Sequence, residues 1–342
     1  MRRSSRRARR QVDCFVTKMI LAKLRDTIFH PRTFRYRDAF INSPRRAPGK
    51  PIDVTLELAS HCNMACQYCY HSDQPGLPFA KGFMALDTAR TIIEQAANAG
   101  AFSMKFNWRG EPTTNPHFAE IVKYSAMFAR GDVLMERFTN SNFKFRTDRL
   151  DIFDGLASMT KVKVSYDSFR KDVFEAQRTG GDHALTTANI DRFYYWPGRK
   201  TEIVIQAVIT KRNADEDILG QVKQRWPKAT LSVRNMVEGR VNKDLSGDTV
   251  ERRDASERQS CIQAHARLIF GWNGLASPCC PAIDESLVLG DIKTESVTEI
   301  WNGFKARRLR ESLIDKSAFE KDPCKNCSSF ETFAGFKPNW ES

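Results

Sequence analysis

Residues 51–71 read PIDVTLELASHCNMACQYCYH. The first ten residues alternate apolar and polar side chains, which predicts a β-strand. The eleven that follow carry Cys62, Cys66 and Cys69, separated by three residues and then by two. The triplet therefore sits at the C-terminal end of a first strand, where parallel α/β folds gather their active sites. Three thiolates at this spacing can hold three irons of a cubane [4Fe–4S] cluster, leaving the fourth iron open to a substrate or cofactor. Zinc with His61 or His71 as fourth ligand is a second reading, and three buried but unligated cysteines a third.

Beyond the triplet, helical and extended patterns alternate. Helices are expected over 86–100, 116–131 and 186–196, and strands over 102–108, 133–140, 162–168, 202–210 and 229–237. Strands separated by helices imply βαβ units and a parallel sheet. With the first strand the count is about six, too few for a closed eight-stranded barrel and enough for a partial one. The pattern stops near residue 241, where the polar stretch NKDLSGDTVERRDASERQS leads to further cysteines: Cys261, Cys279, Cys280, Cys324 and Cys327.

The chain has 342 residues, enough for one large domain or two modest ones, and a formal net charge of +13. Residues 1–50 hold 15 Lys and Arg against 3 Asp, so the remaining 39 basic and 38 acidic groups nearly cancel. The extension opens MRRSSRRARR, six arginines in ten residues. It reads as a basic arm for phosphate backbones, as a solubilising tail or as a targeting peptide. The segment 43–51, SPRRAPGKP, reads as a linker. No apolar run approaches the ~20 residues of a membrane span. Nine cysteines without a secretory signal point to a reducing compartment.

The CxxxCxxC triplet, with Tyr68 before its last cysteine, resembles the radical S-adenosylmethionine (SAM) superfamily, and further stretches within 51–240 fit it. RGEP (109–112) resembles the GGEP motif, with Arg109 in place of the first glycine; Gly110 and Glu111 would there meet the SAM methionine amine. FTNSN (138–142) resembles the segment ending the third strand and supplies Asn140. SYDS (165–168) places Ser165 toward the SAM ribose or carboxylate, and Arg178 matches an arginine that reaches the carboxylate. The resemblance implies a [4Fe–4S] cluster on Cys62, Cys66 and Cys69, and SAM as cofactor. Electron transfer into the sulfonium would then yield a 5′-deoxyadenosyl radical that abstracts hydrogen from a substrate carbon.

Cys261, twelve residues, Gly274, four residues and Cys279 resemble the opening of the SPASM/twitch extension, as does LGDIKTESVTEIWNG (289–303). This implies a second, auxiliary [4Fe–4S] cluster on Cys261, Cys279, Cys324 and Cys327, with Cys280 spare or an alternative ligand. A structural zinc on the same four is the other reading. The expected fold class is α/β: a partial (β/α)6 TIM-like barrel with a small C-terminal iron–sulfur (SPASM/twitch-like) extension. Its expected parts are a basic N-terminal extension (1–50), a radical SAM core (51–240) and the auxiliary-cluster region (255–332).

The substrate is read from charge. The basic N-terminus and the aromatic–arginine run TFRYR (33–37) favour DNA as partner. A radical SAM isomerase of bacteriophage thymidine hypermodification, acting on a glycyl-thymidine adduct, is the leading expectation. A peptide- or protein-modifying maturase, of the ribosomal-peptide or sulfatase type, is the alternative. Either reading requires a one-electron reductant such as flavodoxin or ferredoxin. The expected location is the bacterial cytoplasm, or the host cytoplasm for a phage-encoded chain.

Overall fold

The computed structural model describes residues 49–69, 80–235, 261–325 and 327. The basic extension up to residue 48, His71 and the polar stretch before Cys261 lie outside the described residues.

Nine strands form the main sheet: β1 (Asp53–Leu56), β3 (Ser103–Lys105), β4 (Glu136–Ser141), β5 (Lys161–Ser165), β7 (Glu202–Ile209), β8 (Thr230–Asn235), β9 (Arg267–Phe270), β10 (Leu275–Ser277) and β11 (Gly290–Asp291). Two further short strands, β2 (Ala65–Cys66) and β6 (Arg178–Thr179), pair antiparallel with each other. The order in the main sheet is β11-β10-β9-β1-β3-β4-β5-β7-β8. From β1 to β8 every pairing is parallel, which is the run of six strands the alternation predicts.

The other edge departs from expectation. β9, from the C-terminal cysteine region, pairs in parallel with β1, and β10 and β11 follow as antiparallel neighbours. The C-terminal region thus extends the barrel sheet on the far side of β1. Its strands have two to four residues each, too short for a periodicity signal to register.

Helices α1 (Leu86–Asn98), α2 (Phe118–Ala126), α3 (Leu150–Ala157), α4 (Lys171–Gln177), α5 (His183–Tyr194) and α6 (Ile218–Arg225) lie between the six parallel strands. α1 shows why they form: Ala89, Ile92, Ile93, Ala96 and Ala97 are all buried, a stripe at i, i+3, i+4, i+7 and i+8. Those side chains share one core with Val54, Leu56, Met104, Val162, Val164, Ile203 and Ile205 from one face of the sheet. Helices α7 (Ile262–Ala266), α8 (Val297–Asn302) and α9 (Phe304–Ile314) belong to the C-terminal region. Ser296 and Glu299 form a reciprocal capping box at the start of α8, which carries the buried Trp301.

The other face of the sheet is polar. Pairing register puts Asp53, Lys105, Asn140, Lys163, Ser165, Gln206 and Arg234 on it, because each is an even number of positions from its neighbours' in-register partners. Lys105 has its pKa lowered by burial and by the charges of Arg267 and Arg234, against Cys280 and Asp53, which raise it. Four inter-strand spacings separate β3 from β8, roughly 19 Å on a flat sheet, a distance at which screened charges barely interact. The sheet therefore curls, and the polar face is the inside of a partial barrel.

Candidate active site

β1 ends at Leu56, and the chain turns over the barrel mouth into the cysteine loop. Three contacts pin that loop. The Glu111 N–H donates to the His61 carbonyl at 2.8 Å. Asn142 Nδ2 donates to Asn63 Oδ1 at 2.7 Å, and Lys144 Nζ to the Asn63 carbonyl at 3.2 Å. Gly110 explains the glycine of RGEP: a Cβ there would lie 2.3 Å from the His61 carbonyl and 2.5 Å from that of Ala59. Backbone packs on backbone at this point, leaving no room for a side chain.

Glu111 is buried and accepts from four donors. Oε1 takes the Thr113 N–H, the Thr113 hydroxyl and the Ser141 hydroxyl, and Oε2 takes the Asn142 N–H at 2.8 Å. Burial raises its pKa, against the pull of these donors. RGEP and FTNSN are thereby one unit, joined through a carboxylate. Asn140 and Ser165 both face the barrel interior. Asn140 Oδ1 is buried with no hydrogen-bond partner among the described residues.

β2 and β6 set Cys66 opposite Arg178. The guanidinium lies 3.8 Å from Cys66 Sγ and pairs with Asp167 through Nε and Nη2, both at 2.9 Å. Asp167 also accepts from the Val208 N–H at 2.9 Å and from the Tyr68 hydroxyl. Arg178 stays fully charged, its pKa raised by Asp167 despite the opposing effect of burial. Asp167 and Cys66 are thus the partners of Arg178. Asp167 stands inside the quoted SYDS, but its partners lie eleven and ninety-nine residues away, beyond any local pattern.

The Cys62 thiol is pushed up to about 12 by burial, with the charges of Glu111, Cys66 and Cys69 adding to it. Burial also raises Cys66, opposed by Arg178. Three thiols gathered in low dielectric resist ionising unless a cation compensates them. An iron–sulfur cluster held by the three thiolates would supply that compensation, and Arg178 would offset its net negative charge. Among the described residues, no three Cys, His, Asp or Glu side chains already stand in chelating geometry. The fit therefore rests on the donor set and its surroundings. For SAM, the bare acceptor on Asn140 and the backbone cradle at Gly110 are the features that suit a ligand at the mouth.

At the second cysteine set, Cys261 precedes α7 and packs with Cys324 around a small core of Ala264, Leu313 and Phe319. Burial raises Cys279 well above the usual thiol range, and Cys261, Cys280 and Cys327 add to it. Cys279, Cys261, Cys324 and Cys327 are therefore neighbours. Cys280 has Arg267 Nη1 3.5 Å from its sulfur.

Arg109, the residue that departs from GGEP, carries contacts no motif foretells. It pairs with Glu57, and its Nη1 donates to the Ile283 carbonyl at 3.0 Å and to Glu285 at 3.3 Å. Trp108 Nε1 donates to the Cys280 carbonyl at 3.0 Å. The RGEP loop is bound to the segment carrying the second cysteine set.

Residues 261–328 match SPASM, an iron–sulfur cluster-binding domain. The chain is 25% identical over 193 residues to the mycofactocin maturase MftC of Mycobacterium ulcerans, covering 54% of this chain and 47% of that protein. It thus spans about half the length of that relative. It is 22% identical over 324 residues to the sporulation killing factor maturation protein SkfB of Bacillus subtilis, covering 82% of this chain and 73% of that one. In fold it resembles SuiB of Streptococcus suis, solved with S-adenosylmethionine bound. The TM-score there is 0.61 at 13% identity, over 86% of this chain and 78% of that one.

Proposed function

We propose that this radical SAM enzyme with a SPASM region modifies a peptide or protein substrate. The observation that carries the reading is the match to the sporulation killing factor maturation protein across 82% of the chain, with the second cysteine set inside the stretch that matches the SPASM domain. Cys62, Cys66 and Cys69 would hold the cluster that binds SAM. Cys261, Cys279, Cys324 and Cys327 would hold the auxiliary cluster. When bound, the first cluster and SAM supply the one-electron chemistry that produces a hydrogen-abstracting radical. The chain's own groups orient and enclose. Gly110 and Glu111 fix the cysteine loop against FTNSN, Asn140 offers an acceptor to the cofactor, and Ser165 offers a hydroxyl on the same inner face. Arg178 and Asp167 set the charge beside Cys66. The curled sheet excludes water from the reacting carbon.

The DNA reading rests on the charge of residues 1–50 and the TFRYR run within them, and the relatives do not support it; thymidine isomerisation is accordingly the second reading. The test of both uses the full chain with reconstituted clusters, SAM and dithionite. Production of 5′-deoxyadenosine together with a mass change in a co-expressed precursor peptide supports the first. A new nucleoside in cellular DNA, absent with Cys66→Ala, and no peptide change would replace it with the second. No 5′-deoxyadenosine in any reaction would sink both.

A further inference from the structure

Most charges on the inner face of the barrel are balanced. Arg267 pairs with Asp53 at 3.2 Å, and Lys161 with Glu136 and, at 3.5 Å, with Glu202. Three are not. Lys105 on β3, Lys163 on β5 and Arg234 on β8 make no salt bridge among the described residues, and Lys163 Nζ has only the Phe138 ring, 5.5 Å away. Lys163 is in register with Asn140 and is the inward residue immediately before Ser165. Two positions along a strand is roughly 7 Å, so the lysine lies one side-chain layer below Ser165 and level with Asn140. Lys163 is lowered to about 8 by burial and by the charges of Arg234, Lys105 and Lys161. Lys105 is lowered as well. Gln206 Oε1, on the same face, is buried without a donor.

Lys105 and Lys163, lowered by burial and by neighbouring cations, are held at a cost in the free protein, and an anion among them relieves it. We propose that Lys105, Lys163 and Arg234 form a carboxylate-binding subsite on the inner face of the sheet, with Arg234 at its open edge, which seats an acidic group of the substrate beside the cofactor site. This rests on the peptide reading above: the group is an acidic side chain or a chain-terminal carboxylate, and Gln206 accepts a neighbouring peptide N–H.

The test reads acetylation of Lys105 and Lys163 by mass spectrometry in the full, cluster-loaded chain at constant ionic strength. The probes are N-acetylglutamate amide for the side-chain carboxylate, N-acetylglycylglycine for the terminal one, inorganic phosphate and chloride. One carboxylate probe is expected to slow acetylation about tenfold at ten times its dissociation constant, with chloride ineffective. Which probe does so names the source. Arg234→Gln, at the exposed sheet edge, is expected to abolish protection while leaving SAM binding by equilibrium dialysis unchanged. Protection by SAM alone equal to that by the probes would assign the cations to the cofactor and overturn the proposal. Phosphate protecting better than either carboxylate, or no protection beyond chloride, would also overturn it. Carboxylate protection without any peptide modification would leave the subsite standing and remove the peptide reading instead.

Discussion

Arg109 and Glu57 form a two-pronged ion pair with both side chains fully buried: Nε to Oε1 and Nη2 to Oε2, each at 2.6 Å. Glu57 follows β1 directly, and Arg109 opens the RGEP loop. The same guanidinium reaches Ile283 and Glu285 and stacks over Trp108, its carbon 4.2 Å from the ring centroid. One side chain thus fastens the first strand, the SAM-motif loop and the second cysteine region together.

Arg109→Met strands Glu57 as a buried unpaired carboxylate. A loss of about 3–5 kcal/mol is expected, read by chemical denaturation of the cluster-loaded chain. Adding Glu57→Gln should return much of it. A single-variant cost below ~1 kcal/mol would contradict the fastening role.

Gly110→Ala drives a methyl into the His61 and Ala59 carbonyls. Because these are backbone atoms, the cysteine loop must move. The expected outcome is lower iron and labile sulfide at the first cluster, with the second retained. Unchanged iron would show that the loop can yield.

Asp167→Asn removes the negative partner of Arg178 beside Cys66. The uncompensated guanidinium should favour the reduced, more negative cluster, moving its midpoint potential upward in an electron-paramagnetic titration. A downward shift would rule out this electrostatic account.

Lys163, lowered to about 8, faces Arg234, Lys105 and Lys161 as cations, Glu136 as the one opposing carboxylate and the Phe138 ring. Below that pH it is protonated and inert to acylation; above it, the neutral amine reacts. Its modification rate should rise to half-maximum near pH 8, whereas an exposed lysine does so near ~10.4. A profile matching exposed lysines would mean the inner face is open to bulk water.

Cys279→Ala should cost the auxiliary iron, because Cys279 adjoins Cys261 and Cys327. Cys280→Ala should keep it, because that sulfur faces Arg267. The reverse result in an iron count would exchange their roles.

The cysteine triplet, the six-strand alternation and the order of RGEP, FTNSN and SYDS were readable along the chain, because strand and helix periods and close ligand spacings are local properties. Residues paired across long separations were not. Arg109 with Glu57, Trp108 with Cys280, and Arg178 with Cys66 are joined by 52, 172 and 112 residues of intervening register. Nor did strand patterns disclose that β9 would seat beside β1, since so short a strand gains its stability from a neighbour and not from its own sequence. The inner face holds the sharpest case. Lys105, Lys163 and Arg234 each look like an ordinary polar position on its own strand. Only the curl of the sheet brings three like charges toward one another, and burial of the two lysines then makes the repulsion costly enough to matter.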